Sequence, residues 1–137
     1  MRLVVDTNVI LRALIGGSMV LTVLLGPGNT FYVPEFAFEE IETHIGLIVE
    51  KSRLSERQVR TVLLSVSANL RVLPAREIER EWARAEGIMG SLDPKDVPFV
   101  AAALSARTDG IWSDDNDFKR QKAVRVWNTA EMLASFS

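Results

Sequence analysis

The sequence predicts an α/β fold of three layers, with helices on both sides of a central parallel sheet of about five strands. Three observations predict it. Short apolar runs rich in Val, Ile and Leu recur along the chain and suit buried strands. Segments with apolar residues at helical spacing separate these runs from end to end. Gly, Pro and capping residues punctuate most junctions.

The elements follow in order. Leu3 to Val5 is a strand ending at Asp6. Asn8 to Ile15 is a helix stopped by Gly16-Gly17. Ser18 caps a second helix running to about Leu25, closed by Gly26-Pro27-Gly28. Phe31 to Val33 is the next strand, ended by Pro34. Glu35 to Glu50 reads as one helix, with Phe38, Ile41, Ile45 and Ile48 on its apolar stripe. Ser55 caps a helix to Ala68, with Gln58 at the capping-box position. Leu70 to Leu73 is a strand and Ile78 to about Met89 a helix. Val97 to Ala106 is a helix that leads through Gly110 to the strand Ile111-Trp112. Phe118 sits in a short helical turn, Val124 to Val126 is the last strand, and Thr129 to Phe136 closes the chain as a helix.

The chain has 137 residues, enough to bury about two-thirds of its unfolded surface in one core. No linker, repeat or low-complexity tract interrupts it, so residues 1–137 read as a single domain. It contains no cysteine, which excludes disulfides, thiolate metal sites and a cysteine nucleophile, and fits a cytoplasmic location. No signal-peptide pattern opens the sequence, and no apolar run reaches the roughly 18 residues of a membrane span. The net charge of −2 argues against a protein that coats nucleic acid by charge alone. It is compatible with an enzyme that concentrates acids in its site and offsets them with cations.

The acids carry the chemistry. In an open parallel sheet, ligands bind beyond the carboxyl ends of the strands. Asp6 follows the first strand, and Ser113-Asp114-Asp115-Asn116-Asp117 follows Ile111-Trp112. Glu39 and Glu40 lie on the helix after the second strand, and Asp93 and Asp96 flank the start of the helix before the fourth. Carboxylates converging on one rim repel, and a divalent cation is the usual remedy. Each acid also has a plainer reading. Asp6 could cap the following helix, Glu39 or Glu40 could lie on a solvated face, and Asp93 before Pro94 is a turn residue. Pro98 places Asp96 at a helix start, so capping and metal binding compete for its side chain. Asp114 to Asp117 could form a turn and cap.

The motifs together resemble the PIN domain, the nuclease family that includes VapC-type toxins. Leu3-Val4-Val5-Asp6-Thr7-Asn8 resembles the family's opening strand and first acid. The stretch from Val33-Pro34-Glu35 through Glu39-Glu40-Ile41 resembles its second motif. Asp93-Pro94-Lys95-Asp96-Val97-Pro98-Phe99 resembles the third, and Trp112-Ser113-Asp114-Asp115-Asn116-Asp117-Phe118 the fourth. The resemblance covers nearly the whole chain. It implies that Asp6, Glu40, Asp96 and Asp115 are the catalytic, metal-holding acids. Asp117 would be an auxiliary acid, and Thr7 and Ser113 would orient carboxylates or water. Ile41 after Glu40 favours Glu40 over Glu39, although the doubled Glu leaves a slip of one residue open.

The implied reaction is RNA phosphodiester hydrolysis assisted by Mg²⁺ or Mn²⁺, hard cations suited to carboxylates. A two-ion version would place them about 3.5–4 Å apart; the sequence does not choose between one ion and two. Arg12, Lys119 and Arg120 are the candidate substrate-binding residues, with Lys122 and Arg125 nearby; a second basic group is Lys51, Arg53, Arg57 and Arg60. His44, the single histidine, reads as an exposed or hydrogen-bonded helix residue, and Trp82, Trp112 and Trp127 as core. A toxin role would add an antitoxin partner, and the family suggests a homodimer; no membrane is expected. The alternatives are a non-catalytic RNA-binding or assembly module, and another Mg²⁺-dependent α/β protein such as a phosphatase or receiver domain. Against a phosphatase, Asp6-Thr7-Asn8 lacks the second acid of an Asp-x-Asp motif.

Overall fold

Leu3, Val4 and Val5 are fully buried, so the strand that carries them has no solvent-facing side. The structure, a computed structural model, describes residues 1–136. In it the strands are β1 (Arg2–Val5), β2 (Thr30–Pro34), β3 (Leu70–Leu73), β4 (Gly110–Trp112) and β5 (Val126–Trp127). They form one parallel sheet in the order β3-β2-β1-β4-β5, with β1 central. The chain winds outward from β1 through β2 to β3, then returns to β4 on the other side. The reversal makes the β1–β4 edge the switch point, where a crevice opens beyond the strand ends.

The helices are α1 (Thr7–Ile15), α2 (Ser18–Leu25), α3 (Phe36–Thr43), α4 (Ile45–Ser52), α5 (Glu56–Ala68), α6 (Ala75–Ile78), α7 (Trp82–Met89), α8 (Val97–Ser105), α9 (Asn116–Lys119) and α10 (Thr129–Phe136). Short 3₁₀ turns occupy Glu79–Glu81 and Pro94–Asp96. Helix α8 lies across β1, β2 and β4 and packs against α6 and α7. Its run from Val97 to Ala103 is buried throughout, as a helix seated on a sheet requires. Helices α1, α2, α4, α5 and α10 pack among themselves in the other layer. The three-layer α/β/α expectation holds.

Several boundaries differ from expectation. Ser18 does not cap α2; Gly17 occupies that position without a side-chain bond. The helix expected over 35–50 is two helices, α3 and α4, broken at His44. The His44 N–H is shared between the Glu40 and Ile41 carbonyls, and its ring Nδ1 lies 2.7 Å from the Glu40 carbonyl oxygen. Gly46, just beyond, has weak helix propensity. The helix expected from Ile78 is interrupted at 79–81, which re-aims the chain so that Ile78, Ala85 and Met89 are all buried. The last strand begins at Val126 rather than Val124. Gln121 bonds both the N–H and the carbonyl of Val124, holding it in a turn before pairing starts. Trp112 is core as expected and Trp127 half-buried, but Trp82 is 37% exposed. The Ser55–Gln58 capping box forms as read.

Gly110 opens β4 at a φ of +146°, a conformation strained for any L side chain. A Cβ there would also collide with the Arg125 carbonyl oxygen, which accepts the bond from Ile111 N–H that pairs β4 with β5. Gly110→Ala is therefore expected to destabilise the fold by about 1–3 kcal/mol. A urea midpoint equal to the parent's would contradict this.

Candidate active site

The sheet delivers Asp6 and Ser113 to the same edge. Val5 pairs with Trp112, and the Asp6 N–H donates to the Trp112 carbonyl at 3.0 Å. Ser113 Oγ then donates to Asp6 Oδ2 at 2.7 Å and accepts from the Asp115 N–H at 3.0 Å. One buried hydroxyl thus ties the acid after β1 to the acid after β4. Asp6 also starts α1, but its capping bond to Asn8 N–H is long, 3.4 Å. The cap reading is correct and incomplete, because the other carboxylate oxygen faces the rim residues.

Thr7 supports the second acid. Its hydroxyl donates to Glu40 Oε1 at 2.7 Å. Glu40 is half-buried and adds repulsion to Asp6, whereas Glu39 is exposed. Of the two adjacent glutamates, Glu40 is the one that the Thr7 hydroxyl bonds and whose charge reaches Asp6.

Asp96 stands at the start of α8, yet its side chain makes no capping bond. It is 8% exposed, and its Oδ2 is buried with no hydrogen-bond partner. Burying a carboxylate oxygen without a hydrogen-bond partner is costly. Oxygens of Asp93, Asp96, Asp115 and Asp117 all lie within 4.8 Å of one another. Asp115 caps α9 by accepting from Asp117 N–H at 2.9 Å, and Asp93 caps its turn by accepting from Lys95 N–H at 3.0 Å. Asp6 is coupled to this group of four through the Asp6–Asp96 and Asp6–Asp115 repulsions, and Glu40 is coupled to Asp6.

Burial dominates the electrostatics. It pushes Asp96 up to about 8, helped by the charges of Asp93, Asp6 and Asp115. Burial likewise raises Asp6 to about 6, opposed by its bonds from Ser113 and Asn8. Among the described residues no lysine or arginine forms an ion pair with Asp6, Glu40, Asp96 or Asp115. The donor set is all carboxylate oxygen, which fits a hard divalent cation. The orphaned Asp96 oxygen supports the same fit.

Asp93 is the acid that the sequence places near the rim beside Asp96 but that was not among the four assigned to the metal, its plainer reading being a turn residue. Its spacing of three from Asp96 was the available signal, since acids three apart on a helical turn share a side. Asp114 lies apart from the four. Thr129 N–H and Oγ–H donate to its two oxygens at 2.7 and 2.6 Å, Arg12 pairs with it at 2.9 Å, and these partners hold its carboxyl below the usual range despite partial burial.

The basic candidates are distributed around the rim. A cavity of about 250 Å³ is lined by Asn8, Val9, Arg12, Asp114 and Asp115. Lys119 and Arg120 are exposed at the end of α9, with Arg120 3.7 Å from Asp117. Arg125 stacks on the Trp127 ring at 3.7 Å. Arg60, in the other basic group, is occupied by Glu42 and Glu56. His44 is exposed and hydrogen-bonded to its own helix, as expected.

A family model described as the PIN domain matches residues 4–137. No curated protein matches the chain by sequence. Among solved structures, the chain is similar to one in the crystal structure of VapBC2 from Rickettsia felis bound to a DNA fragment from their promoter. That match has 14% identity and a TM-score of 0.63, and covers 93% of this chain and 98% of the other. At that identity the likeness shows a shared fold.

The raised acids make stability depend on pH in a defined direction. Unfolded, Asp96 and Asp6 ionise near their ordinary value of 3.8; folded, they ionise near 8 and 6. The folded state therefore holds more protons between those values, and stability falls as pH rises through that window. In metal-free buffer the melting temperature should decline from about pH 4 to about pH 8. Asp96→Asn should flatten the decline and melt higher than the parent at the alkaline end. Thermal scans in EDTA across this range check it; a variant that melts lower than its parent there would refute the electrostatic account.

Proposed function

The chain belongs to the PIN-domain family, and from that premise we propose that it is a metal-dependent ribonuclease that hydrolyses RNA phosphodiester bonds at the β1–β4 rim. The observation that carries this reading is the buried Asp96 carboxylate, with one oxygen unpartnered, crowded among Asp93, Asp115 and Asp117 and repelled by Asp6. That arrangement is costly for a purely structural site, and perturbed carboxylates cluster where chemistry is done.

In this reading Asp6, Glu40, Asp96 and Asp115 hold Mg²⁺ or Mn²⁺, and Asp93 and Asp117 complete the acidic wall. When bound, the cation supplies Lewis acidity toward the phosphodiester and lowers the pKa of water. Ser113 fixes the Asp6 carboxylate and the Asp115 backbone in one geometry, and Thr7 does the same for Glu40. These hydroxyls act by orienting the acids. Arg12, Lys119 and Arg120 are the cations placed to receive the phosphate backbone.

The wider role proposed is that of a toxin in a toxin–antitoxin pair, supported by the family and by the VapBC2 structure of similar fold. A small antitoxin would then cover the acidic rim, and a second copy would form a homodimer. No single helix among the described residues is long and apolar enough to cross a membrane, and we place the protein in the cytoplasm.

The decisive experiment is cleavage of RNA with and without divalent metal. Activity should require Mg²⁺ or Mn²⁺, vanish in EDTA and return on metal addition. Asp6→Asn should abolish it without lowering the metal-free melting temperature, while Glu39→Gln should leave it near the parent level. Ser113→Ala and Thr7→Val should each cost about 10–100-fold in metal affinity or rate. Cleavage that persists in EDTA, or in Asp6→Asn, would remove the reading.

A further inference from the structure

The cavity between α1 and the loop joining β4 to α9 brings together two chemically opposed groups. Asp115 on one wall belongs to the acidic cluster, while Arg12 presents a guanidinium whose side chain is 52% exposed. An arginine so exposed normally samples many rotamers. Arg12 instead has a fixed seat. Its Nη1 donates to Asp114 Oδ2 at 2.9 Å and lies 3.4 Å from Thr129 Oγ1.

The seat is anchored in the core. Thr129 grips both oxygens of Asp114, with its N–H at 2.7 Å and its hydroxyl at 2.6 Å. The Thr129 oxygen in turn accepts from the indole Nε1 of Trp112 at 3.1 Å, and Trp112 is fully buried against Phe31. The connection therefore runs from a core tryptophan, through the start of α10, to a guanidinium at the mouth of the site. The Arg60–Glu42 pair is a useful contrast. Arg60 bonds only Glu42 and Glu56, both exposed, and among the described residues no bond leads from either to a buried group.

We propose that Arg12 binds a backbone phosphate of the RNA adjacent to the scissile one, and that Asp114 and Thr129 are positioning residues that hold its guanidinium there. The proposal rests on the ribonuclease reading. Asp115 lines this cavity and belongs to the acidic cluster, so a phosphate here would neighbour the one held by the acids. The Nε and Nη2 groups of Arg12 make no hydrogen bond among the described residues, so they are free to donate to phosphate oxygens. A chain of net charge −2 with an acidic rim also needs a local cation to accept a polyanion. Helix α10 is thereby part of the substrate-binding apparatus, although no acid of the cluster lies on it.

The test measures binding of a fluorescein-labelled single-stranded oligoribonucleotide by anisotropy, in Mg²⁺, across a salt series, with Asp6→Asn as the non-cleaving background. Adding Arg12→Ala should weaken binding about tenfold and make the salt slope shallower by about 0.7, the loss of one phosphate contact. Arg12→Lys should keep the slope. Thr129→Val, which changes no charge, should keep the slope as well. In the otherwise unaltered enzyme it should raise KM several-fold with little change in kcat, a split that general loosening of the fold would not produce. Thermal melts accompany each variant. Arg12→Ala with parental affinity and slope would overturn the proposal and leave the ribonuclease reading intact. A parent protein that neither binds nor cleaves RNA with any divalent metal would overturn both.

Discussion

The parallel pairing of β1 with β4 is the constraint on which the rest of the structure depends. Three residue pairs set the register, Leu3 with Gly110, Val4 with Ile111 and Val5 with Trp112, and the Asp6 N–H extends the ladder. The same register brings Asp6 to Ser113, a residue 107 positions away, at hydrogen-bonding distance. All six paired residues are buried, so a slip of one position would turn core side chains to the wrong face. Core packing and the placement of the acids are thus a single requirement. The glycine at the start of β4 serves it too, because only a residue without Cβ lets the β5 side approach there.

The fold pays for this rim in electrostatic free energy. Hydroxyls and turn N–H groups satisfy individual oxygens of Asp6, Glu40, Asp93 and Asp115. None of these bonds cancels the mutual repulsion, and Asp96 keeps one oxygen with no partner. A sequence selected for stability alone would place an arginine or an amide among these acids. The cations that come near instead pair with Asp114, outside the cluster, and with Asp117, at its exposed side. Asp6, Glu40, Asp96 and Asp115 are left without an ion-paired cation among the described residues.

That division of labour gives the last helix a role that its composition does not suggest. Helix α10 packs on α2, and Met132 is fully buried, so it reads as a closing element of the core. Its first residue nevertheless grips Asp114, next to Asp115. Motion of α10 relative to the sheet would be transmitted through Asp114 to the neighbouring Asp115 of the cluster.

The sequence by itself determined the alternation of strands and helices, hence a parallel sheet, and it placed Asp6 and Asp115 immediately after strands. These are local properties. Apolar periodicity, the proline two residues after Asp96 and the glycines at helix ends act within a few residues, so they can be read from the chain directly. Only the tertiary structure decided which acids meet. Glu40 rather than Glu39 faces Asp6 because Thr7, on another element, supplies its hydrogen bond. Asp93 joins the cluster because the turn that leads into α8 stands at the rim, and its spacing of three from Asp96 hints at a shared side without showing that Asp115 and Asp117 meet them there. The break at His44 and the start of β5 at Val126 go with a few local hydrogen bonds that compete with helix and strand propensity. Registers and side-chain meetings are set by contacts between residues distant along the chain. Their energies exceed local preference, so one dimension of sequence does not display them.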